Sequence, residues 1–274
     1  MQRIFHTPEG VRDIYSQECS RKQKLQEKLH RVFHQYGFED IETPTFEYFE
    51  VFSKEVGTIP SRELYKFFDR EGNTLVLRPD FTPSVSRACA TYFNPEKEVV
   101  SLCYTGNTFI NNSSFRGRLK ETTQMGVERM GDDSPEADAE ILAMTVECLL
   151  ATGLTEFQAS VGQVDYYKAI FAQTGMSQEE EEELRELISQ KNYFGVEELV
   201  KNKNMDKSLA RVLSQLPQMF GSTEVLEKAK SLTDNPQALK AVARLEEIYE
   251  LLKVYGYEKY VTFDFAMLSK YHYY

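Results

Sequence analysis

The sequence predicts an α+β fold in which an antiparallel sheet is flanked by helices and interrupted by an all-helical insertion. Three observations carry this. Strand-like segments come in pairs across short polar turns instead of alternating with single helices, so the βαβ rhythm of a parallel sheet is missing. Amphipathic helical periods lie between those pairs. From 164 to 255 the pattern is helical throughout, and strand character returns only at 260–268. These changes divide the 274 residues into a core segment at 1–163, a helical insertion at 164–256 and a return strand of the core at 257–274.

The elements follow in order. Leu25, Leu29, Val32, Phe33 and Tyr36 recur at helical spacing, which predicts a helix over 16–36 with Ser16 as N-cap and Gly37 as its stop. The stretch 38–49 reads as extended and is broken by Pro44, which cannot donate to a ladder and suits a sheet edge or interface. Segments 64–68 and 74–77 flank a turn of Asp69, Arg70, Glu71, Gly72 and Asn73, a hairpin signature. A helix over 82–92 opens after Arg78-Pro79-Asp80, with Pro83 in the first turn, where proline is tolerated. Strands at 99–105 and 120–130 enclose a polar loop, and on the second Thr122, Gln124, Gly126 and Glu128 share one face by period-two alternation. A helix over 135–151 carries Asp138 and Glu140 near its start, where negative charge suits the dipole. A strand at 155–161 follows, then the helical region. That region includes an acidic run after Ser177, read as a capped, solvated helix start, and a last helix ending at Gly256.

Composition narrows the function. A hydrophobic fraction of 41% and an aromatic fraction of 12% are those of a protein with a large core. No run of about 18 apolar residues exists, which excludes a helical membrane span, and the N-terminus lacks an apolar signal core, so a cytoplasmic location is expected. Thirty-two basic against forty-three acidic residues give a net charge of −11, which argues against a broad basic surface for nucleic acid. Cys19, Cys89, Cys103 and Cys148 are far apart and form no CxxC pair, so reduced, mostly buried thiols are expected, zinc ligation has no support and no metal site is expected. Nothing in the sequence asks for a cofactor.

Five segments, in order, then resemble one family. They are Thr7-Pro8-Glu9-Gly10-Val11-Arg12-Asp13; Tyr36-Gly37-Phe38 through Thr43-Pro44-Thr45-Phe46-Glu47; Leu77-Arg78-Pro79-Asp80-Phe81-Thr82; Gln124-Met125-Gly126-Val127-Glu128; and Phe263-Asp264-Phe265 through Tyr271-His272-Tyr273-Tyr274. Together they resemble the catalytic core of class II histidyl-tRNA synthetases and their non-catalytic paralogues. The resemblance implies a class II synthetase-like sheet, a dimer contact around Pro44 and a histidine pocket. In that pocket Asp80, Thr82 and the carboxamide of Gln124 would accept from the ammonium, Glu128 would accept from a ring N–H, and Tyr273 and Tyr274 would close on the imidazole. Taken singly, Asp80 equally suits a helix cap, Gln124 and Glu128 suit a solvated strand face, and the tyrosines suit core or interface positions.

The sequence departs from a synthetase where ATP would be handled. By gapless count from Gln124, the family's arginine position after the first-strand phenylalanine (Phe109) is Ile110, and its acidic partner position is Asn112. The arginine ahead of the paired tyrosines is replaced by Ser269. A guanidinium is well suited to charge developing on an α-phosphate, and isoleucine supplies neither charge nor donor. Arg116 and Arg118 remain in the hairpin loop as anion-binding candidates or as solvated loop cations. No region of these 274 residues would supply the third class-defining motif or an anticodon-binding domain.

This pattern resembles the ATP phosphoribosyltransferase regulatory subunit family. Membership implies a non-catalytic chain that activates the short-form catalytic subunit in the first step of histidine biosynthesis and contributes to histidine feedback. It further implies a homodimer within a hetero-oligomer and no role for tRNA. Two alternatives stay open, a histidyl-tRNA synthetase core fragment and a stand-alone histidine sensor.

Overall fold

A computed structural model describes residues 5–53, 59–112, 117–203 and 205–268. The chain forms two compact units, the first ending at Asp133 and the second beginning at Ser134. The expected boundary at 163/164 thus falls elsewhere, because the helix and strand between these positions belong to the second unit.

The first unit opens with α1 (Ser16–Gln35), whose Val32 and Phe33 are buried. Its cap position is Tyr15, not Ser16, and no side chain caps it; Ser16 instead sits at φ 51. Gly37 ends the helix with φ 78, the left-handed backbone that glycine adopts without penalty. Two short strands follow, β1 (Glu39–Asp40) and β2 (Phe46–Tyr48), then the four-residue α2 (Glu50–Ser53). The predicted hairpin is β3 (Lys66–Phe68) and β4 (Thr74–Leu77), and α3 (Thr82–Tyr92) follows β4 after the turn Arg78-Pro79-Asp80-Phe81, with Pro83 in the first turn of the helix. The long hairpin is β5 (Val100–Phe109) and β6 (Glu121–Met130). Its first strand runs past the expected end at 105 because the partner strand offers a full ladder as far as Glu121, opposite Phe109.

Two sheets result, of order β1-β5-β6 and β2-β4-β3. Pairing is antiparallel except between β1 and β5, which run parallel, so the purely antiparallel sheet expected is in fact mixed. Leu102, Tyr104, Gly106 and Thr108 oppose Glu128, Gly126, Gln124 and Thr122, and opposed residues share a face. That face is covered at one end by α3, where Phe81, Val85, Cys89, Val100, Leu102 and Tyr104 form a buried cluster. On the other sheet, Val76 packs with Phe52 and Leu64.

The second unit contains α4 (Pro135–Thr152), β7 (Ala159–Val161), α5 (Val164–Phe171), α6 (Gln178–Ser189), α7 (Tyr193–Asn202), α8 (Lys207–Gln215), β8 (Phe220–Gly221), α9 (Glu224–Ser231), α10 (Pro236–Tyr255) and β9 (Val261–Asp264). Ser177 and Glu180 form the capping box expected at the acidic run. The helical region is not wholly helical, since β8 pairs antiparallel with β9 while β7 pairs parallel with it. A helix-only reading missed β8 because two residues carry no periodicity. α10 buries Ala238, Val242, Leu245, Ile248 and Leu252 and ends at Gly256 with φ 73.

Two substitutions test this packing. Leu252→Ala, at a fully buried position, is expected to cost about 2–5 kcal/mol through lost burial and a residual cavity. Gly256→Ala, at a left-handed C-terminal position facing open space, is expected to cost about 1 kcal/mol from backbone strain alone. Urea denaturation of each variant measures both.

Candidate functional site

The site is built on the turn between β4 and α3 and on the face of β5–β6 beneath it. Arg78 begins the turn, and it is buried. A buried guanidinium needs acceptors for its donors. Its Nε donates to the Asn107 carbonyl at 2.8 Å, and its Nη1 donates to the carbonyls of Thr43 at 2.8 Å and Pro44 at 3.3 Å. Burial pulls its pKa below the usual guanidinium value, with the Glu47 carboxylate acting against that shift. Glu47, itself buried, is held by Arg87 at 2.8 Å. One side chain therefore ties the turn to both the Pro44 segment and β5.

Three planar groups then lie in a stack. The Arg78 guanidinium sits 4.0 Å from the Phe81 ring centroid, and Phe81 stacks on Tyr104 at 4.3 Å and 8°. Two glycines leave room for it. A Cβ at Gly106 would meet Arg78 Nη2 at 2.5 Å and Phe81 Cζ at 2.7 Å, and one at Gly126 would collide with the Tyr104 hydroxyl. Here glycine is required by close approach of neighbouring side chains, and neither residue has positive φ.

The polar groups gather on the same face. Thr82 Oγ1 donates to Glu128 Oε1 at 2.6 Å, the Tyr104 hydroxyl donates to the same oxygen at 3.4 Å, and Gln124 Nε2 donates to the Tyr104 hydroxyl at 3.5 Å. Burial raises the Glu128 pKa; the Thr82 hydrogen bond opposes this, the Asp80 charge adds to it, and the Tyr104 hydrogen bond opposes it. Asp80 is not a side-chain helix cap: its Oδ1 accepts the Phe81 N–H at 2.7 Å, inside the turn. The arrangement is an acceptor-rich floor suited to ammonium or ring N–H donors.

Four of the residues singled out in the sequence, Asp80, Thr82, Gln124 and Glu128, are thus brought together. Tyr273, Tyr274, Arg116 and Ser269 lie outside the described residues. Arg118 is exposed in the loop between β5 and β6. Ile110 continues β5, its N–H donating to the Lys120 carbonyl at 2.9 Å, and Asn112 Nδ2 donates to the Leu119 carbonyl at 3.4 Å. Sequence reasoning missed Tyr104, Gly106 and the structural work of Arg78 and Phe81. Alternation along β5 was the available signal, since Tyr104 and Gly106 share a parity. Concavities of about 370 and 530 Å³ are lined by residues of the second unit and by none of the predicted site residues.

Residues 10–274 match the family model described as Histidyl-tRNA synthetase. The chain is 40% identical over 270 residues to an ATP phosphoribosyltransferase regulatory subunit of Acetivibrio thermocellus, covering 98% of this chain and 65% of that relative. It is 37% identical over 271 residues to the protein of that name in Thermoanaerobacter pseudethanolicus, covering 99% of this chain and 70% of the relative. A solved structure of an ATP phosphoribosyltransferase regulatory subunit/histidyl-tRNA synthetase from Bacillus halodurans superposes with a TM-score of 0.88 at 31% identity, covering 98% of this chain and 70% of that one. The histidyl-tRNA synthetase of Nostoc sp. PCC 7120 superposes with a TM-score of 0.80 at 21% identity, covering 98% and 63%, a likeness of fold. The chain belongs to the histidyl-tRNA synthetase family, and within it to the group whose members are named ATP phosphoribosyltransferase regulatory subunit. Its α+β fold is that of the class II synthetase core. It spans about 65% of the length of the first of these relatives.

Two predictions follow from the geometry. Gly126→Ala displaces the Tyr104 ring and is expected to cost about 1–3 kcal/mol, as overpacking does, read by urea denaturation. Glu128→Gln keeps the acceptor for Thr82 but removes the charge. Because the folded pKa of Glu128 is raised, its contribution to stability is present below the ordinary carboxylate pKa of about 4.3 and is lost as pH rises through the folded value. Relative to the parent, the glutamine variant is therefore expected to be more stable at neutral pH, with the difference vanishing in acid. Paired denaturation curves near pH 7 and pH 4 measure this, and a variant less stable at neutral pH would contradict it.

Proposed function

We propose that this chain is a regulatory subunit of ATP phosphoribosyltransferase: a non-catalytic, cytoplasmic partner that binds and activates the short-form catalytic subunit and carries histidine feedback in the first step of histidine biosynthesis. One observation carries the reading. The acceptor floor for a histidine ligand is kept, with Thr82, Gln124 and Tyr104 arranged around Glu128, while the position where a synthetase places its phosphate-facing arginine is Ile110. Arg78, the guanidinium that borders the floor, is engaged by main-chain carbonyls. Histidine is held in this reading by Asp80, Thr82, Gln124 and Glu128, with Tyr273 and Tyr274 closing over the ring. Arg116 and Arg118 are candidates for an anion near the loop. No cofactor is needed.

The names of the relatives support the partner. A homodimer within the larger assembly is supported by the face of β2 and β3, where Phe46 (51% exposed), Tyr48 (56%) and Phe67 (37%) share one side of the sheet beside the Pro44 segment. Three exposed aromatics on one strand face favour burial against another surface. Among the described residues, no helix is long and apolar enough to cross a membrane.

Calorimetric titration with histidine is expected to show binding that Glu128→Gln weakens about 10- to 100-fold, the loss of one charge-assisted hydrogen bond. Histidine-dependent ATP–pyrophosphate exchange by the same preparation is expected to be absent. Clear exchange activity would overturn the reading in favour of a synthetase.

A further inference from the structure

On the other face of β5 from the histidine floor, four side chains with metal-ligating atoms meet. His30 and His34 are one turn apart on α1, so both rings hang from one side of the helix. Asp40 of β1 is in parallel register with Cys103 of β5, so these two point to the same side of the sheet. α1 covers that side, where Lys22 also reaches the Thr123 hydroxyl. The His30 Nε2 lies 2.6 Å from Asp40 Oδ1, the His34 Nε2 lies 2.9 Å from Asp40 Oδ2, and Cys103 Sγ lies 3.5 Å from Asp40 Oδ1. The four ligating atoms are all within 4.8 Å of one another. Cys103 is fully buried, while the two imidazoles and the carboxylate are partly open to solvent, at 40%, 46% and 56% exposure.

We propose that His30 Nε2, His34 Nε2, one oxygen of Asp40 and Cys103 Sγ bind a single divalent ion of the zinc class. Metal–nitrogen and metal–sulfur bonds of about 2.0–2.3 Å place tetrahedral ligands about 3.3–3.8 Å apart. The observed separations, from 2.6 Å to within 4.8 Å, bracket that edge, and the half-exposed imidazoles have room to adjust to an ion. The mixed N, N, O, S set suits zinc better than magnesium or calcium, which take oxygen ligands. The ring centroids are 4.1 Å apart, close enough for both rings to reach one ion. Each ring would bind the ion through Nε2, with its proton on Nδ1. The metal–sulfur bond forms as the thiol proton leaves for solvent. The ion would clamp α1 to β1 and β5. The cysteine spacing gave no hint of this because the site uses one cysteine, and its histidines come from a helix far away in sequence.

The proposal stands apart from the histidine-feedback reading and is tested separately. Tag-free protein, stripped with a chelator and titrated with zinc, is expected to take up one equivalent per chain and to unfold at a higher temperature when loaded. Cobalt(II) is expected to give intense tetrahedral d–d bands and a thiolate-to-cobalt charge-transfer band. His34→Gln, at a solvent-facing position that does not carry the fold, is expected to weaken zinc binding by at least about 100-fold, the upper end of what loss of a ligand's outer-shell partner costs. Cys103→Ser is expected to abolish the charge-transfer band. Absence of stoichiometric uptake, or binding unchanged in His34→Gln with no thiolate band, would overturn the proposal.

Discussion

The geometry of the candidate floor hangs on the burial of a single cation, Arg78. A guanidinium taken out of water must find acceptors, and here they are the carbonyls of Thr43, Pro44 and Asn107. Satisfying them fixes the turn after β4 against both the Pro44 segment and β5. The flat face of the same guanidinium then stacks on Phe81, and Phe81 on Tyr104, contacts each worth about 0.5–2 kcal/mol. Gly106 and Gly126 are the reciprocal condition, since a methyl group at either would displace the stack.

Function is layered on that constraint. The turn that Arg78 anchors also carries Asp80 and Thr82, so the groups around Glu128 are positioned by the same hydrogen bonds that satisfy the buried charge. Glu128 is kept partly buried, which raises its pKa, and the nearby Asp80 carboxylate adds to the shift. The Glu128 carboxylate at the centre of the floor accepts from Thr82 and Tyr104.

Much of this was legible in the sequence, and the reasons are physical. The hairpin face of Thr122, Gln124, Gly126 and Glu128 follows from strict alternation in a long strand, and the ladder reproduces it. The capping box at Ser177 and the left-handed stops at Gly37 and Gly256 follow from local chemistry. Long-range pairing is what sequence could not supply. Tyr104 joins the site only because β5 and β6 are in one particular register, β1 joins β5 in parallel through two residues, and β8 is too short to show a period. The same limit hid the gathering of His30, His34, Asp40 and Cys103, which needs a helix and two strands to meet. Ser16 failed as a cap because the chain turns into α1 one residue earlier than a cap at that position requires.

The most direct test of the account is steady-state activity of the short-form ATP phosphoribosyltransferase catalytic subunit, measured with the parent chain and with Glu128→Gln across a range of histidine concentrations. The account predicts that both chains raise the activity, and that inhibition by histidine through this chain is present with the parent and shifted about 10-fold or more to higher histidine with the variant. Activity unchanged by either chain, or histidine inhibition identical for both, would contradict it.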